Sequence, residues 1–388
     1  MTIAIVGCGS FAHSFIPLFR AHPLIDEVVL CDLDEGKLSE TAAKYHVTRT
    51  FPSLQAVLET DVDAVAIFTQ NWLHGPQAVQ ALLAGKHVYS AVPPCISVQE
   101  VESLVSAVEG TGRIYMLGET SYYYPGTIYC RQQVAKGAFG RVVYSEGEYY
   151  HDWDHGLYDV MQTRGGEQWR RFAGSPPMLY PTHSVAPIVS VLGQRMTHVS
   201  CQGFEDSEQQ IYGPATNVWD NRFSNQSALF RMSDGSVCRI NEFRRIGHPC
   251  VERMSMYGTE GCFQDTVAGA VWTGRHEVTR LDDLLRCAKR MPDGTEVPPD
   301  SAQAAFRDVS PIHDLLRLPK EFLGLPNGHF GSHQFLVDDF VKAVHAGEQP
   351  PNNVWQAARY VLPGLLAHES SLRGGELLEI PDFGDPAS

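Results

Sequence analysis

Three stretches of this chain carry residues whose types and spacing suit chemistry. The first is "GCGSFA", where Gly7, Gly9 and Ala12 follow the apolar run "TIAIV" and precede a helical pattern. Gly7 permits a tight turn, and Gly9 lets the backbone approach a pyrophosphate. A small Ala12 lets the helix pack on the strand, so backbone N–H groups around Ser10 and Phe11 and the helix N-terminus face the phosphates. Asp32 closes the next apolar run, where a carboxylate bonds a ribose diol and repels a 2′-phosphate, so the spacing predicts NAD rather than NADP. The second stretch, "FTQNWLHGPQA", brings Thr69, Gln70, Asn71 and His74 to the carboxyl end of a strand, within reach of a nicotinamide. For His74, a packed histidine at a helix start is the equal alternative. The third is "HDWDH" with "EQWRRF" after it. His151 and His155 lie four apart, which on a strand or loop does not put both on one face, so no metal site is expected. Asp152, Asp154 and His155 are expected to contact substrate or to be solvated loop residues. Arg170 and Arg171 suit a carboxylate or sulfonate, a surface ion pair being the alternative.

These residues need a frame. Over the first 120 residues short apolar runs alternate with helical periods such as Leu73 to Ala84 and Val98 to Val108, which predicts βαβ units and a doubly wound parallel sheet. The expected domains are an NAD-binding domain over 1–120 and a substrate-binding α+β domain over 121–388. The latter should hold an open antiparallel sheet, with a strand pair turning at Asp234-Gly235 and a helix from about Thr182. From Gly269 to Gly331 short helical pieces at most are expected. Helices from about Ser332 to Ala346 and Val354 to Ser371 close the chain and are expected to pack back on the first domain.

A length of 388 residues suits two domains, and 43% hydrophobic content supports filled cores. A formal charge of −15 argues against nucleic acid as a partner but leaves room for an anionic small substrate opposite a local arginine cluster. No run reaches the roughly 18–20 apolar residues of a membrane span, and the start lacks signal-peptide features, so a cytosolic location is expected. Nine scattered cysteines without a zinc spacing are expected to be free buried thiols.

"IVGCGSFA", "TQNWLHGPQAVQALLAGKHVY", "GRVVYSEGEYYH" and "GSHQFLVDDFVKAVHAGEQPPNNVWQAARYVLPGLLAHESS" together make the chain resemble the Gfo/Idh/MocA oxidoreductase family over its whole length. The resemblance implies an NAD-binding Rossmann domain, a sugar pocket walled by an open-faced sheet, and dimers or tetramers. The family's dehydrogenases handle the alcohol proton with Lys, Asp and His. Here the lysine position before Pro93 holds Val92, the aspartate position holds Leu179, and only His183 is kept. The NAD-dependent glycosidases of the family, the α-N-acetylgalactosaminidases among them, are more similar. They share valine before the proline, a Tyr-Pro-Thr-His run matching Tyr180 to His183, and a tyrosine matching Tyr122. Their triplet begins with glutamate, whereas this one begins with Ala91, and Glu119 is a candidate replacement near the cofactor. By the same likeness Trp169 and Arg170 lie near cofactor or substrate; Tyr180, in the matched run, and Arg171, whose guanidinium suits an anionic substituent, are the candidate sugar contacts.

The implied chemistry oxidises carbon 3 of the sugar transiently, eliminates the aglycone after loss of the carbon 2 proton, adds water and reduces the ketone again. His183 would take the carbon 3 hydroxyl proton and Tyr122 would act at carbon 2, which requires neighbours to lower an ordinary tyrosine pKa of ~10. As residues alone, Tyr122 reads as packing and His183 as a helix-start histidine. A sugar or cyclitol dehydrogenase is the alternative enzyme, and a non-catalytic NAD-binding or sugar-sensing protein is a third class.

Overall fold

Apolar runs bounded by turn residues become β1 (Thr2–Val6), β2 (Glu27–Cys31), β4 (Ala64–Ile67), β5 (His87–Ser90) and β6 (Tyr115–Leu117), with the two-residue β3 (Thr50–Phe51) at one edge. All pair parallel in the order β3-β2-β1-β4-β5-β6. Such strands need helical crossovers, here α1 (Ile16–Ala21), α2 (Glu35–Tyr45), α3 (Leu54–Leu58), α4 (His74–Leu83) and α5 (Val98–Thr111). Asp34, Ser53 and Ser97 cap α2, α3 and α5 by accepting backbone N–H groups of the first turn. The register sets Val6 beside Cys31 and Ile67, Ile67 beside Ser90, and Ser90 beside Leu117. Gly7, Asp32, Phe68, Ala91 and Gly118 therefore leave the sheet along one edge, and the order reverses between β1 and β4. That edge is where ligands of open α/β sheets bind.

The structure is a computed structural model and describes residues 1–207, 210–213 and 215–386. After α6 (Pro125–Ala135) come β7 (Val142–Tyr150), α7 (Leu157–Gly165), α8 (Trp169–Ala173) and α9 (Thr182–Leu192). Then follow β8 (Met196–Glu205), β9 (Phe223–Met232), β10 (Val237–Phe243), β11 (Val251–Gly258), β12 (Gly261–Thr266), β13 (Gly269–Gly274) and β14 (Val278–Arg280). The last elements are α10 (Asp282–Leu285), β15 (Ala288–Arg290), β16 (Phe306–Val309), α11 (Ser332–Ala346), α12 (Val354–Leu372) and β17 (Leu378–Glu379).

The second sheet has the order β14-β13-β12-β11-β7-β10-β9-β8-β17. It is mixed rather than wholly antiparallel, because β10 pairs parallel with β7. The chain crosses over through α7–α9, and the β8–β9–β10 meander then delivers β10 to that edge. The turn at Asp234-Gly235 joins β9 to β10, with Gly235 at φ +86°. The polar stretch after Gly269 contains strands as well as helical turns: β13 and β14 extend the sheet and β15 pairs with β16.

The chain divides into two compact units, Met1–Pro125 with Leu284–Ala358 and Phe383–Ser388, and Gly126–Asp283 with Arg359–Asp382. In the first, Phe15, Phe19, Phe68, Tyr89 and Phe340 pack ring against ring beneath the glycine turn. In the second, Trp153, Leu157, Trp169, Ala173, Ile211 and Tyr212 form a small apolar cluster. All nine cysteines are free thiols, and six are buried. Among the described residues no helix is long and apolar enough to cross a membrane.

Candidate functional site

At the edge of the parallel sheet, Gly7 is left-handed at φ +94°, and a Cβ there would lie 2.8 Å from the Phe68 carbonyl carbon and oxygen. Gly9 is different: a Cβ there would meet no atom within 4 Å. The first glycine is required by the fold, whereas the second leaves open the approach a pyrophosphate needs. Asp32 accepts Cys8 N–H at 2.7 Å and Asp34 N–H at 2.8 Å, which fixes the carboxylate beside the turn. Ser10 is exposed, Phe11 packs edge-on against Phe15 and His333, and Ala12 is fully buried. The turn does not open directly into an α-helix. A 3-10 turn at Ala12–Ser14 comes first, and α1 starts only at Ile16, where Pro17 lacks the N–H of an interior helical residue. These features fit a dinucleotide: Gly9, Ser10 and Phe11 would hold its phosphates and Asp32 its ribose.

His74 is buried, with Nδ1 2.9 Å from the Pro93 carbonyl and Nε2 3.0 Å from the Thr69 carbonyl. It ties the loop after β4 to the turn after β5. Thr69 donates its hydroxyl to Gln77 at 2.6 Å, and Asn71 is half-buried in the following 3-10 turn. Val92 and Pro93 are buried, joined by a cis peptide bond.

Glu119 is fully buried and accepts both the Ser121 N–H at 2.9 Å and its hydroxyl at 2.7 Å. It caps the 3-10 turn Thr120–Tyr123 that carries Tyr122. Tyr123 points inward: its hydroxyl donates to Asp339 and accepts from Arg317 at 3.1 Å, its ring stacks on Phe335, and its carbonyl faces His313 Nε2 at 2.9 Å. Tyr124 packs edge-on against Phe330. Of the three adjacent tyrosines only Tyr122 is left half-exposed, its ring against Tyr123.

In the second unit, His183 lies in the first turn of α9, buried, with the rings of Tyr149 and Tyr180 each 5.3 Å away. Its Nδ1 is 3.8 Å from Glu252 Oε2. The next residue, Ser184, donates its hydroxyl to Glu242, which also pairs with Arg244 at 2.9 Å. Burial pushes Glu242 up to about 7, against the downward pull of Arg244 and Ser184. The Arg244 guanidinium lies over the Tyr149 ring at 4.7 Å, and burial raises the Tyr149 phenol. A Cβ at Gly147 would collide with the Ser184 carbonyl, so the glycine of "EGEYYH" lets α9 lie against β7. Leu179 closes the preceding 3-10 turn and offers no acid.

The structure does not bring the third stretch together as one constellation. Asp152 is buried and accepts N–H groups of Ile246, Gly247 and Asp154 at 2.8, 3.1 and 3.0 Å, and His155 Nδ1 lies 2.8 Å away. Desolvation opposes its charge, but the His155 and backbone hydrogen bonds outweigh it and hold the carboxyl below its ordinary range. Asp152 therefore holds the loop, and of this pair only His155 reaches the surface. His151 is engaged by the Tyr149 hydroxyl at 2.9 Å, away from His155. Trp169 is buried, Arg170 stacks on its ring at 4.5 Å, and Arg171 bonds Gln168 at 3.3 Å; both arginines are exposed and turned to different partners.

Glu242, Arg244, Tyr149 and Glu252 escaped the sequence reading. One signal was present: Ile240, Glu242 and Arg244 alternate on one buried face, where apolar residues are the rule.

Residues 1–119 match the family model of the Gfo/Idh/MocA proteins, described as an oxidoreductase family with an NAD-binding Rossmann fold. The match covers the N-terminal, dinucleotide-binding part of the chain. NAD is the cofactor its glycine turn and Asp32 fit. Across both domains the chain is 26% identical over 406 residues to a glycosyl hydrolase family 109 protein of Streptomyces niveus, covering 98% of this chain and 77% of that one. An alpha-N-acetylgalactosaminidase of Bacteroides fragilis is 32% identical over 218 residues, 51% of this chain and 50% of that one. Solved Gfo/Idh/MocA-like structures share the fold. Levoglucosan dehydrogenase with NADH and levoglucosan aligns at TM-score 0.75 with 17% identity, over 98% of this chain and 100% of that one. The myo-inositol 2-dehydrogenase of Lactobacillus plantarum aligns at TM-score 0.70 with 18% identity, over 98% and 99%.

Proposed function

We propose that this protein is an NAD-dependent glycoside hydrolase that cleaves a sugar glycoside by transient oxidation at carbon 3. The observation that carries the reading is the pair of apolar residues, buried Val92 and half-buried Leu179, where the resembled dehydrogenases hold their lysine and aspartate, while His183 is retained among aromatic rings and carboxylates. Full-length similarity to glycosyl hydrolase family 109 proteins supports it. NAD, when bound, supplies reversible hydride transfer at carbon 3, so that this carbon is a ketone mid-cycle and an alcohol at either end. His183 receives the proton of the carbon 3 hydroxyl and returns it at the end. The ketone acidifies the neighbouring C–H, and Tyr122 removes the carbon 2 proton. The electron pair forms the carbon 1–carbon 2 double bond as the aglycone leaves from carbon 1, and water adds there with a proton restored to carbon 2. Sugars bearing a carboxylate or sulfonate fall within the reading, since the exposed Arg171 guanidinium suits such a group.

Reaction with aryl glycosides in deuterated water tests the proposal. The expected product is a free sugar carrying deuterium at carbon 2, with NAD catalytic rather than consumed. His183→Ala is expected to stop oxidation, and Tyr122→Phe to permit oxidation but block cleavage. NADH formed in proportion to substrate without cleavage would identify a dehydrogenase, and cleavage without label would refute the elimination.

A further inference from the structure

His183 has lost the acidic residue that the resembled dehydrogenases carry four positions earlier; Leu179 stands there, in a 3-10 turn. The sheet beneath α9 offers another carboxylate. Glu252 lies near the start of β11, paired in register with Tyr149 of β7, whose ring packs edge-on against His183. Its Oε2 is 3.8 Å from His183 Nδ1, and both side chains are largely buried, at 12% and 6% exposure.

We propose that Glu252 is the positioning residue for His183: its carboxylate orients the imidazole through Nδ1 and holds the imidazolium that forms when Nε2 takes a proton. The assignment rests on His183 being the group that handles the carbon 3 proton. The ionisable and charged groups facing His183 are Tyr149 from β7, Tyr180 before α9, Glu242 from β10 with Arg244 just beyond it, and Cys250 and Glu252 at and just before β11. Glu242, the second carboxylate, accepts the Ser184 hydroxyl with one oxygen and pairs with Arg244 through the other. Its charge is balanced where it stands. A separation of 3.8 Å is ion-pair distance, and catalytic contacts commonly shorten when substrate excludes water. An N–H at Nδ1 directed to Glu252 leaves Nε2 as the acceptor, the tautomer a general base needs.

Histidine-labelled full-length protein, with NAD bound and the His183 signal assigned from a His183→Gln sample, tests this by NMR titration. An opposite charge at this distance raises an imidazole by about 1–3 pH units. Glu252→Gln is therefore expected to lower the His183 midpoint by at least about one unit, with Glu252→Asp restoring most of it. The acid limb of the kcat profile should move down with the midpoint, while KM changes little. An unchanged His183 midpoint in Glu252→Gln, or a midpoint in Glu252→Asp as low as in the Gln variant, overturns the proposal. The hydrolase reading is judged instead by deuterium in the wild-type product, so the two fail on different measurements.

Discussion

Gly7 and Gly9 lie two residues apart in one motif, yet alanine at each should fail for opposite reasons. At Gly7 the backbone is held at φ +94°, which costs an L-residue about 1–2 kcal/mol. Its new Cβ would also lie 2.8 Å from the Phe68 carbonyl atoms and 3.0 Å from the Thr69 nitrogen. Those atoms belong to the backbone joining β4 to the next turn and cannot rotate away. Overpacking of this kind adds about 1–3 kcal/mol, so Gly7→Ala should lose roughly 2–5 kcal/mol of stability. At Gly9 no atom lies within 4 Å of the added carbon, and φ lies outside the left-handed region. Gly9→Ala should therefore fold as well as the parent, gaining up to about 0.4–1 kcal/mol from a less flexible unfolded chain. What it should lose is NAD, because the methyl group fills the approach the pyrophosphate uses. A tenfold weakening, about 1.4 kcal/mol, is the least expected. Urea unfolding followed by circular dichroism reads the first effect, and calorimetric titration with NAD reads the second. If Gly9→Ala binds NAD as tightly as the parent, or unfolds as early as Gly7→Ala, the division of labour argued for this turn is wrong.

Asp32→Ala should narrow the preference for NAD over NADP and cost about 1–3 kcal/mol of stability, because the Cys8 and Asp34 amides lose their acceptor. Comparative titration with both nucleotides checks it, and a parent protein binding both equally would contradict the assignment. Burial lowers His313 to about 4, His368 to about 4 and His333 to about 3, from an unfolded value near 6.5. The folded state binds fewer protons than the unfolded chain below pH 6.5, so this stability is present above that pH and is lost as pH falls toward 4. At about 1.4 kcal/mol per pKa unit, His313 and His368 contribute about 3 kcal/mol each at most and His333 about 5 kcal/mol. Melting temperature should fall steeply from pH 6.5 to 4, and His313→Gln should flatten the slope; a flat profile in the parent protein would count against these buried neutral rings.

The parallel sheet and its glycine turn were legible in the sequence because both are local. A strand, a turn and a helix that make their own hydrogen bonds leave their pattern in consecutive residues, and Asp32 follows one crossover later. Distinguishing Gly7 from Gly9 needed Phe68, brought alongside only when β4 pairs with β1. The same limit applies to the tyrosine run. Its letters read alike, and burial against Asp339, Arg317 and Phe330 decides that Tyr123 and Tyr124 turn inward while Tyr122 stays half-open. Resemblance located His183, but its surroundings come from β7, β10 and β11, up to about 70 residues away along the chain. Asp152 shows the same limit, because its carboxylate closes a loop with Ile246 and Gly247, partners that no local pattern announces. Sequence alone determined what consecutive residues can do through the backbone. Only the tertiary structure decided which charges are buried together, because side-chain electrostatics depend on distance in space and on exclusion of water.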